Sequence, residues 1–223
     1  MKKMIFENSY FEDEVRDGFF VPAEMKRAWA AELEVLSEVD KICKKHNIQY
    51  FADWGTLLAA VRHEGFIPWD DDLDIVMKRD DYNRFMELAQ TELPEGFSAY
   101  NFRNHDDFWL FLGRVVGKQR ICFEEEHLER FHQFPYIVGV DIFVLDYVSR
   151  DKETERKRDE LALHTIALAD MIGAGEVRQD IREQEFRKLE QICGVQIHRE
   201  LGDTELRREL YGVVELLFGL FRE

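Results

Sequence analysis

The sequence contains few cysteines, few prolines and no long apolar run. Among 223 residues there are only four prolines and three cysteines, which are Cys43, Cys122 and Cys193. No Cys-x-x-Cys pair suggests a zinc site, and the wide spacing does not fit a disulfide framework, so a reducing, cytoplasmic setting is expected. The N-terminus mixes Lys2 and Lys3 with acidic residues, and neither a signal peptide nor a membrane span is predicted.

The sequence also lacks an excess of positive charge. It has 30 Lys and Arg against 46 Asp and Glu, a formal net charge of -16, and no basic run long enough to line a groove. Such a chain repels polyanions at long range, so nucleic-acid binding is not expected. A small phosphorylated ligand is compatible with this charge, because a divalent cation held by acidic residues changes the sign of the local field.

Hydrophobic patterning predicts a mixed sheet flanked by helices, an α/β (α+β) fold. Apolar residues spaced by three and four predict a helix over Ala23–His46. A short strand over 48–53, a turn at Gly55, a helix over 56–62 and a buried strand over 73–77 follow. We expect residues 1–150 to form the catalytic core and residues 151–223 a helical C-terminal region.

The middle of the sequence predicts further strands. Asp80 or Asp81 is the expected cap of the next helix. Strands are then predicted over 98–102, 108–116, 120–124 and 136–148. Gly117-Lys118-Gln119 is expected to turn the second and third of these into a hairpin.

Four carboxylates crowd the segment Trp69-Asp70-Asp71-Asp72-Leu73-Asp74-Ile75, where a buried strand is predicted to begin. Asp72 and Asp74 are two positions apart, so on a strand both side chains point to one face, roughly 7 Å apart at the backbone. Mg2+ prefers carboxylate, water and phosphate oxygens. In phosphoryl or nucleotidyl transfer such an ion neutralises charge on the phosphate oxygens. The spacing therefore predicts a magnesium site.

Asp141 is the best candidate for a third member of this site. It is a single acid inside the apolar run 138–144, where a buried carboxylate needs a partner. It is expected either to bind a second ion or to take the proton from an acceptor hydroxyl.

A phosphate-binding turn is predicted at Gly55 and Thr56. These residues precede a predicted helix, so they can offer backbone N–H groups and a hydroxyl to a phosphate at the positive end of the helix. Arg62 and His63 follow one to two turns later and are candidates for reaching a diphosphate. Taken singly, a Gly-Thr pair is more often a turn and cap, and each basic residue is more often a surface residue.

The acidic segment also fits three other interpretations. A solvated turn before a strand is the commonest role of such a triplet. A calcium-binding loop matches Asp70, Asp72 and Asp74, but Ile75 stands where that loop needs glycine, and Asp81 where it needs a bidentate glutamate. The Asp-x-Asp motif of metal-dependent glycosyltransferases is matched as well, although that motif is short and common.

The longer context of the segment is more specific. The stretch from Gly55-Thr56-Leu57-Leu58 through Arg62-His63-Glu64-Gly65-Phe66-Ile67-Pro68 to Trp69-Asp70-Asp71-Asp72-Leu73-Asp74-Ile75 closely resembles the signature of the LicD family. The resemblance returns around 136–147. This family includes the fukutin-related proteins and belongs to the nucleotidyltransferase superfamily.

The resemblance implies a fold and a reaction. It implies a nucleotidyltransferase-like core in which Gly55 and Thr56 face a donor phosphate. It also implies that Asp72, Asp74 and Asp141 hold Mg2+ or Mn2+, with Asp70 and Asp71 in supporting positions. The implied reaction transfers a phosphate-linked group, such as phosphocholine, from a CDP-linked donor to a glycan or lipid-linked glycan.

Further expectations concern the length of the chain, alternative functions and the flanking tryptophans. Family members usually continue into an aromatic- and proline-rich segment, so this chain is expected to be a truncated or divergent member. Nucleotidyl transfer to a small molecule, or ligand binding without catalysis, are the alternative functions. Trp54 and Trp69 flank the acidic segment, where core packing is favoured over stacking on a base or contact with a choline-like cation.

Overall fold

The computed structural model describes residues 3–221, which divide into two compact units. The first unit contains residues 3–101 and 112–145, and the second contains residues 102–111 and 146–221. The predicted functional division at residue 150 stays a prediction. Within residues 3–221, none of the helices has both the length and the apolar character needed to cross a bilayer.

The first unit begins with a short 3-10 helix and a hairpin. The 3-10 helix covers Asn8–Phe11, and strands β1 (Glu14–Arg16) and β2 (Phe19–Val21) pair antiparallel. The two residues between the strands, Asp17 and Gly18, have φ angles of 52° and 78°. Two successive positive φ angles are typical of the type I′ turn that joins tightly paired strands.

The long first helix is confirmed. Helix α1 covers Ala23–His46, as its apolar spacing predicts, and Asn47 ends it with a left-handed φ of 54°. Helix α2 covers Trp54–Arg62, α3 covers Arg79–Glu92, and α4 covers Glu125–Arg130.

A five-stranded mixed sheet forms the centre of the first unit. Its strands are β3 (Phe51–Ala52), β4 (Leu73–Lys78), β5 (Ser98–Tyr100), β6 (Gly113–Val116) and β7 (Gly139–Leu145), in the spatial order β3-β4-β7-β6-β5. Only the β4–β7 pair is parallel; the other three pairs are antiparallel. The mixed sheet flanked by helices confirms the predicted fold class.

One face of this sheet is buried under α1 and α3. The core there includes Ile75, Val115, Val140 and Ile142 from the sheet and Phe85 from α3. Because strand side chains alternate between faces, the intervening residues of β4, β6 and β7 project to the opposite face. The proposed acids on these strands therefore lie on the face away from the core.

The second unit is helical, as predicted. Its helices are α5 (Lys152–Gly173), α6 (Gln179–Cys193) and α7 (Asp203–Phe218). Asp151 caps α5 by accepting a hydrogen bond from the Thr154 N–H at 2.9 Å. The core of the unit includes Phe102, Ile172 and Leu210.

Several predicted strands were wrong in extent or partner. The segment 120–124 is not a strand, and the predicted 108–116 strand covers only Gly113–Val116, so Gly117-Lys118-Gln119 does not join a hairpin. Strand β6 instead pairs with β5 and β7. The strand over 48–53 shrinks to Phe51–Ala52.

The other boundary errors have simple causes. Strands predicted over 98–102 and 136–148 cover only Ser98–Tyr100 and Gly139–Leu145, because pairing with neighbouring strands limits their length. The predicted cap of α3 was also wrong. Lys78 occupies the cap position without a side-chain hydrogen bond, and Asp80 and Asp81 lie inside the first turn.

Candidate active site

A row of polar residues crosses the open face of the sheet. Asp74 on β4 lies beside Asp141 on the parallel strand β7. Asp141 lies beside Arg114 on β6, and Arg114 beside Tyr100 on β5. The row brings together two of the predicted metal ligands, Asp74 and Asp141, which are far apart in sequence. Asp72 lies just outside the row, one residue before β4 begins.

Arg114 holds Asp141 with two hydrogen bonds. Its Nε donates to Asp141 Oδ1, and its second terminal nitrogen donates to Oδ2 at 2.5 Å. A bidentate pair of this kind fixes both the position and the plane of the carboxylate. Hydrogen bonding to Asp141 raises the pKa of Arg114 above its usual value. From the sequence, Arg114 fits either a phosphate contact or, more commonly, a solvated strand charge. Its register opposite Asp141 is set by long-range pairing, which the sequence pattern does not show.

The backbone of Asp74 is fixed from two sides. Its N–H donates to the hydroxyl of Thr56 at 2.8 Å, and its carbonyl accepts from the N–H of Asp53 at 3.1 Å. Thr56 therefore ties the first turn of α2 to β4. The contact of Thr56 with a donor phosphate stays a prediction. The hydrogen bond from the Asp74 N–H to the Thr56 hydroxyl was not predicted from the sequence.

The acidic cluster is electrostatically strained. Burial, followed by the charges of Asp72 and Asp141, raises the pKa of Asp74 to about 6. Partial burial, with the neighbouring charges of Asp70 and Asp71, raises the pKa of Asp72. A nearby cation favours the charged form of such carboxylates. The oxygen-only donor set and this mutual repulsion fit a hard divalent cation.

The described part of the chain does not contain a ready-made metal cage. Within residues 3–221, no three His, Cys, Asp or Glu side chains are placed so that they hold an ion together. Asp141 is not free to bind an ion in this arrangement, because both of its oxygens already accept hydrogen bonds from Arg114. Binding of an ion by Asp141 requires at least one of these bonds to open.

Gly55 allows Asp70 to lie against the start of α2. A Cβ atom at position 55 would collide with Asp70 Oδ2. The backbone of Asp70 is held as well, because Trp29 Nε1 donates to its carbonyl at 2.8 Å. Trp54, the first residue of α2, has a left-handed φ of 44°, a conformation that costs free energy for a bulky residue. Strain therefore lies directly beside the predicted phosphate-binding turn.

Arg62 and His63 form a chain of hydrogen bonds with the N-terminal hairpin. Arg62 Nε donates to His63 Nε2 at 2.8 Å, and His63 Nδ1 lies 2.9 Å from Asp17 Oδ2. Since Nε2 accepts, Nδ1 carries the proton and donates to Asp17. The structure thus links His63 to the β1–β2 turn. The predicted contact of Arg62 and His63 with a diphosphate stays a prediction.

Glu32 is a member of the cluster that the sequence analysis missed. It lies on α1, is only 4% exposed, and its Oε2 has no hydrogen-bond partner among the described residues. Burial, followed by the charges of Asp72 and Asp71, raises the pKa of Glu32 to about 9. A signal was present in the sequence, since Glu32 stands three residues after Trp29 and four before Leu36, on the apolar stripe.

A cavity of about 760 Å³ opens beside the acidic segment. It is lined by Gly55, Thr56, Asp70 and Asp72 on one side. Its remaining walls come from α1, from the loop 63–67 and from the N-terminal residues Phe6, Tyr10 and Arg16. The contribution of the N-terminal residues had no sequence signal.

The flanking tryptophans do not pack in the core. Trp54 is 66% exposed and Trp69 is 53% exposed, so the favoured core interpretation was wrong for both. The ring of Trp54 lies 6.0 Å from that of Phe143, and the ring of Trp69 lies 5.8 Å from that of Phe19. Neither lines the cavity, whose aromatic walls are instead Phe6, Tyr10, Trp29 and Phe66.

Comparison with known proteins finds one family whose model matches part of the sequence. Residues 47–120 match the family described as LicD/FKTN/FKRP, nucleotidyltransferase domain. The chain resembles the LicD family over these residues. The matched range contains the Gly55-Thr56 turn, Asp72, Asp74 and Arg114, whereas Asp141, α1 and the N-terminal hairpin lie outside it.

Three curated proteins show how far the sequence similarity extends. The chain is 41% identical over 92 residues to the lipopolysaccharide cholinephosphotransferase LicD of Haemophilus influenzae, which covers 41% of this chain and 32% of the relative. It is 36% identical over 98 residues to an uncharacterized protein of Rickettsia typhi, covering 41% of this chain and 30% of the relative.

The similarity to a third protein covers a shorter segment. It is an uncharacterized protein of Rickettsia prowazekii, 43% identical over 60 residues, covering 26% of this chain and 23% of the relative. The chain thus spans about a third or less of the length of these curated relatives.

Proposed function

We propose that this chain transfers a phosphate-linked group of the phosphocholine type from a CDP-linked donor to a hydroxyl group of a glycan. The observation that carries the proposal is the side-by-side register of Asp74 and Asp141, with Asp72 next to the strand and the Gly55-Thr56 turn facing it. The LicD relative that acts as a lipopolysaccharide cholinephosphotransferase supports the class of transferred group.

The reaction balances as a substitution at phosphorus. The acceptor oxygen forms a bond to the phosphorus that carries the choline, and the bond from that phosphorus to the bridging oxygen breaks. CMP leaves with the bridging oxygen, and the acceptor proton is released. Charge builds on the phosphate oxygens during this exchange, so the site has to supply positive charge and donors.

Asp72, Asp74 and Asp141 are the residues that would hold Mg2+ or Mn2+. When bound there, such an ion supplies charge neutralisation and alignment of the attacking and leaving oxygens. Asp74 suits this role because its backbone is fixed by Thr56 and Asp53. The carboxylates repel one another in the absence of an ion, so binding relieves the repulsion.

Other groups of the chain position the donor and the acceptor. The N-terminus of α2 offers backbone N–H groups to the leaving phosphate, and Gly55 leaves room there for the Asp70 side chain. Arg114 holds Asp141 against the sheet and adds positive charge to an otherwise acidic row. As the alternative to ion binding, Asp141 would accept the proton of the acceptor hydroxyl.

A transfer assay with mass detection tests this proposal. The full chain is incubated with CDP-choline and lipopolysaccharide oligosaccharides, with Mg2+ or with EDTA, and both CMP release and the mass of the acceptor are measured. The proposal predicts a mass gain of phosphocholine that requires Mg2+. A gain of a nucleotide would show nucleotidyl transfer instead. Magnesium-dependent binding without turnover would indicate a ligand-binding relative.

Two matched variants sharpen the assay. Asp74→Asn is expected to lower turnover by about a thousandfold or more, because it removes a ligand that acts in the transition state. Asp71→Asn changes an exposed acid of the same loop and is expected to cost less than about tenfold. Equal losses in both variants would show that general negative charge matters, and not the specific position of Asp74.

A further inference from the structure

The cavity beside the acidic segment has a wall that lies outside the family match. Phe6, Tyr10 and Arg16 precede residue 47, where the match begins, as does Trp29 on α1. The cavity also touches Gly55, Thr56 and Asp72, so its contents lie next to the proposed phosphate site. Its volume, about 760 Å³, is within the range of small-molecule sites. The N-terminal residues therefore complete a pocket that the LicD-family match does not contain.

The aromatic wall already carries a delocalised cation. The Arg16 guanidinium lies 5.6 Å from the centre of the Trp29 ring. Trp29 is stacked on Phe66, with ring centres 4.9 Å apart and an angle of 6° between the planes. Arg16 is paired with Glu14 at 2.6 Å, and Glu14 also pairs with Lys26 at 3.2 Å. A weakly hydrated cation is stabilised in this way by aromatic faces.

Phe6 and Tyr10 form the remaining aromatic surface. Their ring centres are 4.8 Å apart, and both side chains are half-buried. Phe6 also packs edge-on against His132 at 5.0 Å, and the ring of His132 is held by Glu34 at 2.8 Å. The two rings are thus supported from behind while lining the cavity.

The electrostatic balance around the cavity favours a positive ligand. Three carboxylates, Glu64, Asp70 and Asp72, line it together with one guanidinium, that of Arg16. Aromatic faces combined with an excess of carboxylates are the features that recognise a quaternary ammonium group.

We propose that this cavity binds the quaternary ammonium head group of the donor, and that Tyr10 and Phe6 are specificity-determining residues. The inference rests on the proposed function, because it places the head group beside the phosphate that the acidic row would engage. Specificity for the transferred group then depends on the N-terminal residues and α1. The LicD-family signature supplies the phosphate chemistry.

Calorimetric titration of the full chain tests this assignment. CDP-choline, CDP-glycerol and CDP are each titrated in the presence of Mg2+ into the native protein, Tyr10→Leu, Tyr10→Phe and Phe20→Ala. Tyr10→Leu removes the aromatic face at similar volume, and Tyr10→Phe keeps it. Phe20 is a matched control, since it is an aromatic residue of the hairpin that follows the 3-10 helix, is 58% exposed and does not line the cavity. Melting temperatures identify any variant that fails to fold.

The expected result is a preference for CDP-choline over CDP and CDP-glycerol that depends on the aromatic face. Tyr10→Leu should lose roughly tenfold in affinity for CDP-choline and little for CDP, whereas Tyr10→Phe and Phe20→Ala should resemble the native protein. Equal weakening of CDP and CDP-choline would overturn the assignment, because the cavity would then hold the nucleotide. A native protein without preference among the three compounds would overturn it as well.

Failure of the proposed function gives a different pattern. If the native protein binds none of the cytidine compounds, the donor assignment is wrong, and choline chloride and phosphocholine are titrated alone. Binding of these ligands that Tyr10→Leu removes would keep the head-group cavity without the CDP donor. The absence of such binding would overturn the cavity assignment too.

Discussion

Asp74 and Asp141 lie side by side on adjacent parallel strands, on the face of the sheet away from the core. This register arises because β7 inserts between β4 and β6, although β7 begins more than sixty residues after β4 ends. Neighbouring side chains on one face of a sheet are close enough to share a ligand or to repel each other. The pair therefore costs free energy unless a cation or Arg114 compensates it.

Glu32→Gln is expected to raise the free energy of unfolding of the metal-free protein above pH 5. Burial and the nearby Asp72 and Asp71 raise the pKa of Glu32 from 4.5 to about 9. The folded state thus keeps a proton that the unfolded chain releases. Stability falls as the pH rises between these values, by up to about 1.4 kcal/mol per pH unit, and Gln removes this loss.

Urea denaturation at several pH values from 5 to 8 measures this effect. Glu38→Gln is the control, because Glu38 lies on the same helix and is 5% exposed but pairs with Arg130 at 3.0 Å. Its replacement should destabilise the protein, since it leaves the partner uncompensated. A pH slope in Glu32→Gln equal to that of the native protein would show that Glu32 is not held protonated.

Magnesium affinity is expected to fall as the pH drops below about 6. Burial, followed by Asp72 and Asp141, raises the pKa of Asp74 to about 6, so protons compete with the ion for this carboxylate below that value. The apparent affinity should fall by up to about tenfold per pH unit in that range. Tryptophan fluorescence during magnesium titration is a suitable readout, since Trp54 lies near the site. Affinity unchanged between pH 7.5 and 5 would argue against Asp74 as a ligand.

Arg114→Met tests whether Asp141 binds the ion. Arg114 occupies both oxygens of Asp141, so its removal frees the carboxylate. Without the ion the variant should be less stable by about 1–3 kcal/mol, because a hydrogen-bonded charge pair is broken. With Asp141 available, magnesium should bind more tightly than in the native protein. If calorimetry shows the same magnesium affinity in both proteins, Asp141 has a role other than ligand.

Thr56→Val should damage the site through the backbone of Asp74. Valine has the shape of threonine but cannot accept the hydrogen bond from the Asp74 N–H. Leaving that donor unpaired should cost about 1–3 kcal/mol of unfolding free energy, and transfer should slow as well. Thr56→Ser keeps the acceptor and should retain stability within about 1 kcal/mol. Similar losses for serine and valine would assign the effect to the methyl group.

Local patterns predicted part of the fold. Helix α1 follows from the regular apolar spacing between Trp29 and Ile42, and β4 from its buried β-branched run. The hairpin at Gly117 was wrong, because its turn residues fit a hairpin while β6 finds its partners in β5 and β7. Strand partners depend on long-range packing, which a local pattern does not encode.

In the candidate site, too, local patterns predicted some residues, and long-range packing determines the others. Asp72 and Asp74 could be singled out from their spacing, and Asp141 from its apolar surroundings. The pairing of Arg114 with Asp141 depends on sheet register, and the cavity wall at Tyr10 depends on the packing of the N-terminal 3-10 helix. Glu32 was within reach of the sequence, since an acid on an apolar helical stripe marks either an ion pair or a functional group.

Calorimetric titration of CDP-choline, with Mg2+ and with EDTA, into the native protein and Asp74→Asn tests whether the acidic row binds the donor through a metal ion. Binding is expected to require Mg2+ and to be lost in Asp74→Asn, with the fold of the variant retained by circular dichroism. Binding of equal strength in EDTA, or binding that Asp74→Asn leaves unchanged, would contradict a metal-dependent transferase site on this face of the sheet.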